Sequence, residues 1–318
     1  MNKLGEKICK HKKLIIILTV ILLIPALIGM YKTKINYDIL VYLPEDIETI
    51  KGENILTDDF NMGAFAITIV DNMADKDVLT LESKIRDIDG VNKVVSIDDI
   101  SGTTIPLEFL PSDITEKVAK DNSKLVLVTF NESTSDDVTL DAVQDLRNLV
   151  KNTAKVGSMS AMVLDTKELF NSEMALYVAI AVVLCIMVLM ISLDSYLVPI
   201  LLIANIGVAI LFNMGSNIFL GDICYITKAI SAVLQLGVTT DFSIFLYHKY
   251  EKAKKENKDI NKAMSIAIHE TLVSVFGSSI TTIAGFLALC TMNLKLGADI
   301  GIVMAKGVVF GLICVITL

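Results

Sequence analysis

The stretch Ile223–Tyr250, ICYITKAISAVLQLGVTTDFSIFLYHKY, decides how the rest of the chain is read. It is long and apolar enough to cross a bilayer, yet it carries Lys228, Gln235 and Asp241. A carboxylate well inside the hydrocarbon costs ~2.5–3.5 kcal/mol on insertion scales, so such groups face a bundle interior or a water path and mark ion or proton routes. The alternative is a carboxylate that only pins one helix to another by a hydrogen bond or ion pair. Small and hydroxyl residues surround it in Gly237-Val238-Thr239-Thr240-Asp241-Phe242, a composition that lets helices approach closely and offers donors to a buried carboxylate. Burial favours the protonated form of such a group and a nearby cation the charged form, so a carboxylate balanced between them can load and release a proton.

Outward from this helix, the composition is that of a polytopic membrane protein. The 318 residues are 53% hydrophobic and 20% charged, with a mean hydropathy of +0.62. Charge is unevenly placed. Residues 31–173 carry 27 Asp and Glu against 14 Lys and Arg, a net of −13, and the remainder a net of +5. One acidic segment is therefore set into a membrane part with basic flanks, which argues against nucleic-acid binding. All five cysteines (Cys9, Cys185, Cys224, Cys290 and Cys314) lie outside that segment, and no pair has metal-ligand spacing, so neither a disulfide framework nor a zinc site is expected.

Six spans are predicted. Residues 1–13 hold five lysines against Glu6, and Leu14–Tyr31 is an uncharged run of 18 with no signal-peptidase site after it, so it reads as an uncleaved first span. Met174–Leu193 and Ser195–Gly221 supply the second and third, separated by a tight turn at Asp194 and Ser195. The opening stretch is the fourth. A Lys-rich loop, 248–270, precedes a fifth span over Thr271–Leu294, and a sixth starts near Asp299. The positive-inside rule puts the N-terminus, the 194 turn and the Lys-rich loop in the cytoplasm of a multi-pass cell (plasma) membrane protein, with 32–173 extracytoplasmic. The sixth span reaches Leu318 without a polar flank, so more sequence is expected beyond it.

The 32–173 segment has a different rhythm. Ala64–Val70 reads as a strand, Asp75–Ile88 as a helix and Val91–Ile97 as a strand; the order repeats in Leu125–Phe130, Asp136–Lys151 and Lys155–Met159. Strand–helix–strand twice over predicts a ferredoxin-like split βαβ domain of α+β class between the first and second spans.

Lys306 is the second charge inside the membrane, deep in the sixth span, and Asp241 is its obvious partner, in a static pair or a switchable one. Lys228 lies near its helix end and is expected to snorkel. Gln235 reads as a helix–helix hydrogen bond. In the fifth span, Phe276–Phe286 forms a small-residue face whose hydroxyls Ser278, Ser279 and Thr282 either serve close packing or join Thr240 in a network around Asp241. His11, His248 and His269 border the basic segments and receive no catalytic role. Neither G-x-x-x-x-G-K-S/T, G-x-S-x-G nor H-E-x-x-H is present, so the chain is not expected to be an enzyme, needs no cofactor, and draws on an ion gradient.

The run Gln235–Tyr250, the Lys-rich loop, the Gly277–Gly285 span and Gly297-Ala298-Asp299-Ile300-Gly301 together resemble the MMPL branch of the resistance–nodulation–division superfamily. The resemblance covers essentially the whole chain and is most specific in the fourth to sixth spans. It implies a proton-driven exporter of lipids or other hydrophobic molecules, a porter-type outer domain, and a proton-relay role for Asp241. Phe242 stands where the family often has Tyr. The family repeats the six-span unit, which this chain does not, so the resemblance implies an N-terminal half needing a C-terminal half, or a half-size subunit that pairs. Two alternatives are a non-transporting sensor or assembly factor of the same fold and a proton-using accessory of protein export.

Overall fold

The computed structural model describes residues 2–60, 62–96, 119–120, 123–151, 153–193 and 195–318. The chain forms two compact units: Met1–Leu43 with Asn171–Leu318, and Pro44–Phe170. Ile97 and Asp194, the predicted ends of a strand and a turn, lie outside the described residues.

In the second unit, α3 (Glu48–Asp58) leads into β2 (Ala64–Asp71), α4 (Asp75–Arg86) and β3 (Val91–Ser96); β4 (Ala119–Lys120), β5 (Ser123–Phe130), α5 (Asp137–Val150) and β6 (Ala154–Ser158) follow. The strand order is β3-β5-β2-β6, with β4 on β5, and every pairing in this sheet is antiparallel. This is the split βαβ arrangement that the twofold strand–helix–strand pattern predicts. Period-two alternation sends Ala64, Ala66, Thr68 and Val70 into the core, while Phe65, Ile67 and Ile69 stay exposed on the opposite face. Val78 and Ile85 of α4 and Val143 and Leu146 of α5 bury their stripes. Asp136 caps α5 by accepting from Val138 N at 2.9 Å.

The first unit is helical apart from two short strands, β1 (Ile35–Asn36) and β7 (Ile223–Cys224). Among the described residues, six helices are long and apolar enough to cross a membrane: α2 (Lys12–Lys32), α6 (Met159–Ser192), α7 (Leu197–Gly215) with the 3-10 turn Ser216–Phe219, α8 (Tyr225–Glu256), α9 (Ile260–Ala288) and α10 (Lys295–Thr317). The Lys-rich loop is shorter than the sequence suggested. α8 runs on to Glu256, α9 starts at Ile260, and Asp259 caps it by accepting from Asn261 N at 2.9 Å.

Two ends of this unit are fixed by specific contacts. At one, β1 pairs in parallel with β7, Ile35 with Ile223 and Asn36 with Cys224, and Asp299 near the start of α10 accepts from Cys224 N at 2.8 Å. At the other, α1 (Asn2–Lys10) lies on α9: a Cβ at Gly5 would sit 2.7 Å from Ser265 O. Lys12 Nζ donates to Asn261 Oδ1 there, at 3.3 Å. The end of the first span and the starts of the fourth and sixth therefore share one end of the bundle, as alternating spans require. Gly29 of α2 faces Gly215 of α7, where a Cβ on either would strike the other helix's backbone.

Candidate functional site in the helical bundle

The α8 helix has two faces with different chemistry. On the inward face Thr227, Ser231, Gln235, Thr239 and Ser243 recur every four residues, and all are buried. Gln235 is the hub. Its Oε1 accepts from Asn213 Nδ2 of α7 at 2.9 Å, and its Nε2 donates to Gly307 O of α10 at 3.1 Å. Nearer the Asp299 end, Thr227 Oγ1 donates to Asp299 Oδ2 at 2.5 Å. Nearer the opposite end, Asn205 Nδ2 donates to Cys314 O at 3.3 Å. Gly307 and Gly311 bring α10 close enough for these contacts: a Cβ at Gly307 would lie 2.7 Å from Asn213 Nδ2, and one at Gly311 2.5 Å from Thr239 Oγ1.

Asp241 is on the other face. It is exposed, as are Ile230, Leu234, Gly237 and Phe245, which line up with it at helical spacing. Its neighbours Thr240 and Phe242 point inward, and Thr240 Oγ1 donates to Leu236 O at 2.6 Å within the same helix.

The Lys306 ammonium donates to Asn217 Oδ1 at 2.5 Å, and among the described residues no ion pair joins Lys306 to Asp241. Ser278 Oγ donates to Val275 O and Thr282 Oγ1 to Ser278 O, each at 2.9 Å, so both hydroxyls serve their own helix. Ser279 is buried with its hydroxyl unpartnered. Outside their own stretch of helix, no atom lies within 4 Å of where a Cβ would stand at Gly277 or Gly285, so no neighbouring helix packs on α9 at these two glycines. The structure thus joins Gln235 to Asn213 and Lys306 to Asn217, places Asn205 against Cys314 O, and leaves Asp241 apart from them. Asn205, Asn213 and Asn217 escaped the sequence reading because uncharged amides hardly lower the hydropathy of a span; their spacing of eight and four residues, one helix face, was the available signal.

Beyond the spans, a buried polar patch lines the β1–β7 end. Burial raises the Tyr42 phenol above its ordinary range, and Asp299, Cys224 and Asp222 push it the same way. Burial also raises the Asp38 carboxyl, against the lowering effect of the Leu40 N–H that it accepts at 2.8 Å.

The profile of the MMPL family matches residues 51–318. The chain belongs to the MMPL family. This MMPL chain is 25% identical over 348 residues to the membrane protein MJ1562 of Methanocaldococcus jannaschii, covering 97% of this chain and 89% of that one. It is 22% identical over 330 residues to the apo-petrobactin exporter of Bacillus anthracis, covering 96% of this chain and 42% of the exporter. SecDF from Thermus thermophilus, a translocon-associated membrane protein, matches with a TM-score of 0.50 at 17% identity, over 97% of this chain and 37% of that chain. That last likeness concerns the fold alone. The MMPL chain therefore spans nearly all of one relative and less than half of the exporter.

Proposed function

We propose that this MMPL chain is the six-span unit of an exporter that moves lipids or other hydrophobic molecules out of the cell, driven by proton influx and needing neither enzyme chemistry nor a bound cofactor. The observation that carries the reading is Asp241: a carboxylate beside Gly237 on an otherwise apolar, exposed face of a membrane-spanning helix. Such a group is tolerated in a bilayer only against protein or water. The face therefore belongs against a second six-span unit, either a C-terminal half or a second copy, with Asp241 as the proton relay at that contact. Family membership and the exporter relative support transport. The relative of nearly matching length supports a half-size subunit, and the double-length exporter a fused pair. The N-terminus lies in the cytoplasm and the α+β unit outside the membrane, where it guides substrate; the lysines of α1 and of the α8–α9 connection support this orientation.

The test is Asp241→Asn in the complete transporter. Membrane level and unfolding temperature stay at wild type while proton-dependent export stops; export that persists removes Asp241 from the relay. A second reading, an accessory of protein export, draws on the fold shared with SecDF. Under it, deletion impairs protein secretion before it impairs efflux of hydrophobic compounds.

A further inference from the structure

The geometry points to a binding site for one anionic phospholipid of the leaflet at the α1 end of the bundle, with a tail in a groove between α2, α7 and α10 and the headgroup at Lys12. The site stands whether or not the chain exports; the orientation proposed above makes that leaflet the cytoplasmic one. The groove holds about 810 Å³, within the ~300–1,000 Å³ of ligand pockets. Ile15, Leu18 and Leu22 of α2 line one side and Ile313 of α10 another, joined by Phe212 of α7 and Phe310 of α10, whose ring centroids are 6.1 Å apart. Leu18, Leu22 and Ile313 are each about half exposed, so the groove opens to the bilayer. Its far end lies at Gly29 and Gly215, where α2 and α7 meet backbone to backbone. Ile15 and Gly29 are fourteen residues apart, ~21 Å at 1.5 Å per residue, while one leaflet contributes half of the ~30 Å hydrocarbon core. An extended tail therefore fits along it. Of the hydroxyls on the lining, Ser216 Oγ donates to Asn213 O at 3.0 Å and Thr317 Oγ1 to Ile313 O at 2.7 Å, so both are spent within the protein.

Charge at the mouth selects the lipid. Thr317 and Leu318 line both the groove and a second cavity of about 420 Å³, so the two adjoin. Lys12 lines this second cavity together with Asn261 and Tyr250. Its ammonium donates to Asn261 Oδ1, a neutral amide, at 3.3 Å, and among the described residues it forms no ion pair. The nearby acids are engaged elsewhere. Asp259 caps α9, and Glu6 lines a separate cavity with Lys10 and Lys262. Lys12 is thus a cation without a counter-charge at the edge of an apolar cavity, and a phosphodiester headgroup supplies that charge while its tail enters the groove. A zwitterionic headgroup brings a cation of its own beside the phosphate and is held less well.

The chain has no tryptophan, so a single one introduced reports on the lipid around it. Phe310→Trp puts the reporter in the groove, and Phe276→Trp puts it on the exposed face of α9, outside the groove lining. If Phe310→Trp does not fold, Ile313→Trp takes its place in the groove. The purified full chain is reconstituted in phosphatidylcholine vesicles in which phosphatidylglycerol or phosphatidylcholine with brominated tails replaces a rising fraction of the lipid. Bromine quenches a tryptophan that it touches. In the groove, phosphatidylglycerol should be preferred about fivefold over phosphatidylcholine, the effect of one lysine at an anionic membrane surface; the α9 reporter should show no preference. Lys12→Gln keeps a donor for Asn261 and should abolish the preference, Lys12→Glu should reverse it, and Lys255→Gln, at an exposed lysine of α8, should leave it intact. Thr19→Phe, on the groove lining, should weaken quenching by either lipid. The same ratio at both reporters means ordinary lipid around the bundle only, and overturns the site. A groove preference that survives both Lys12 variants overturns Lys12 as the headgroup contact, and quenching unchanged in Thr19→Phe overturns the groove as the place of the tail. The vesicles hold no substrate and no proton gradient, so each outcome is independent of the export reading.

Discussion

Asn213 donates its amide to Gln235 Oε1 at 2.9 Å, and Gln235 in turn donates to Gly307 O at 3.1 Å, so one side chain of α8 holds α7 and α10 together. Both side chains are fully or almost fully buried. Buried amides that lack partners cost ~1–3 kcal/mol each, so the pair fixes the rotation of three helices about their axes as well as their separation.

Gly307→Ala places a methyl group 2.7 Å from Asn213 Nδ2 and 3.2 Å from Gln235 Oε1. Overpacking of this kind costs roughly 1–3 kcal/mol. The variant is expected to unfold at a lower temperature in detergent. Gly277→Ala is the comparison, since outside its own stretch of helix no atom lies within 4 Å of its added Cβ, and alanine in a helix is favoured over glycine by about 0.5–1 kcal/mol. Equal losses in the two variants would show that the Asn213–Gln235 contact does not set the spacing.

The Asp38 carboxyl should make stability depend on pH. Because burial raises it, the folded chain keeps this proton at pH values where the unfolded chain has released it. Its contribution is complete below the ordinary value of 3.8 and is lost as pH rises through the higher folded value. Asp38→Asn preserves the acceptor for Leu40 N and removes the titration. Measured from pH ~4 upward, the variant's unfolding temperature should gain on wild type as pH rises. A gap that closes with rising pH would contradict the assignment.

Orientation can be read by cysteine labelling. In a background with the five native cysteines replaced, Asp58→Cys in α3 and Lys255→Cys near the end of α8 each put a thiol at an exposed position. A membrane-impermeant maleimide added to intact cells should label the first and reach the second only after lysis. The reverse pattern inverts the proposed topology.

By itself the sequence determined the spans, because length and apolarity within one helix settle whether it crosses a bilayer. It also determined the split βαβ order of β2, α4 and β3 and of β5, α5 and β6, through two repeats of a period-two and a 3.6-residue pattern. Only the tertiary structure decided which polar groups meet. Gln235 and Asp241 are six residues apart, about 240° around the helix, so they cannot share a face, yet nothing local says which of the two turns inward. The sequence joined Asp241 to Lys306 because opposite charges in an apolar setting look like partners. In the fold Lys306 reaches Asn217 instead, because the lysine side chain in α10 lies beside the end of α7, and the glycines at 307 and 311 let α10 approach the buried amide face of α8. Helix rotation depends on the sum of contacts with all neighbours, which no single stretch of sequence contains.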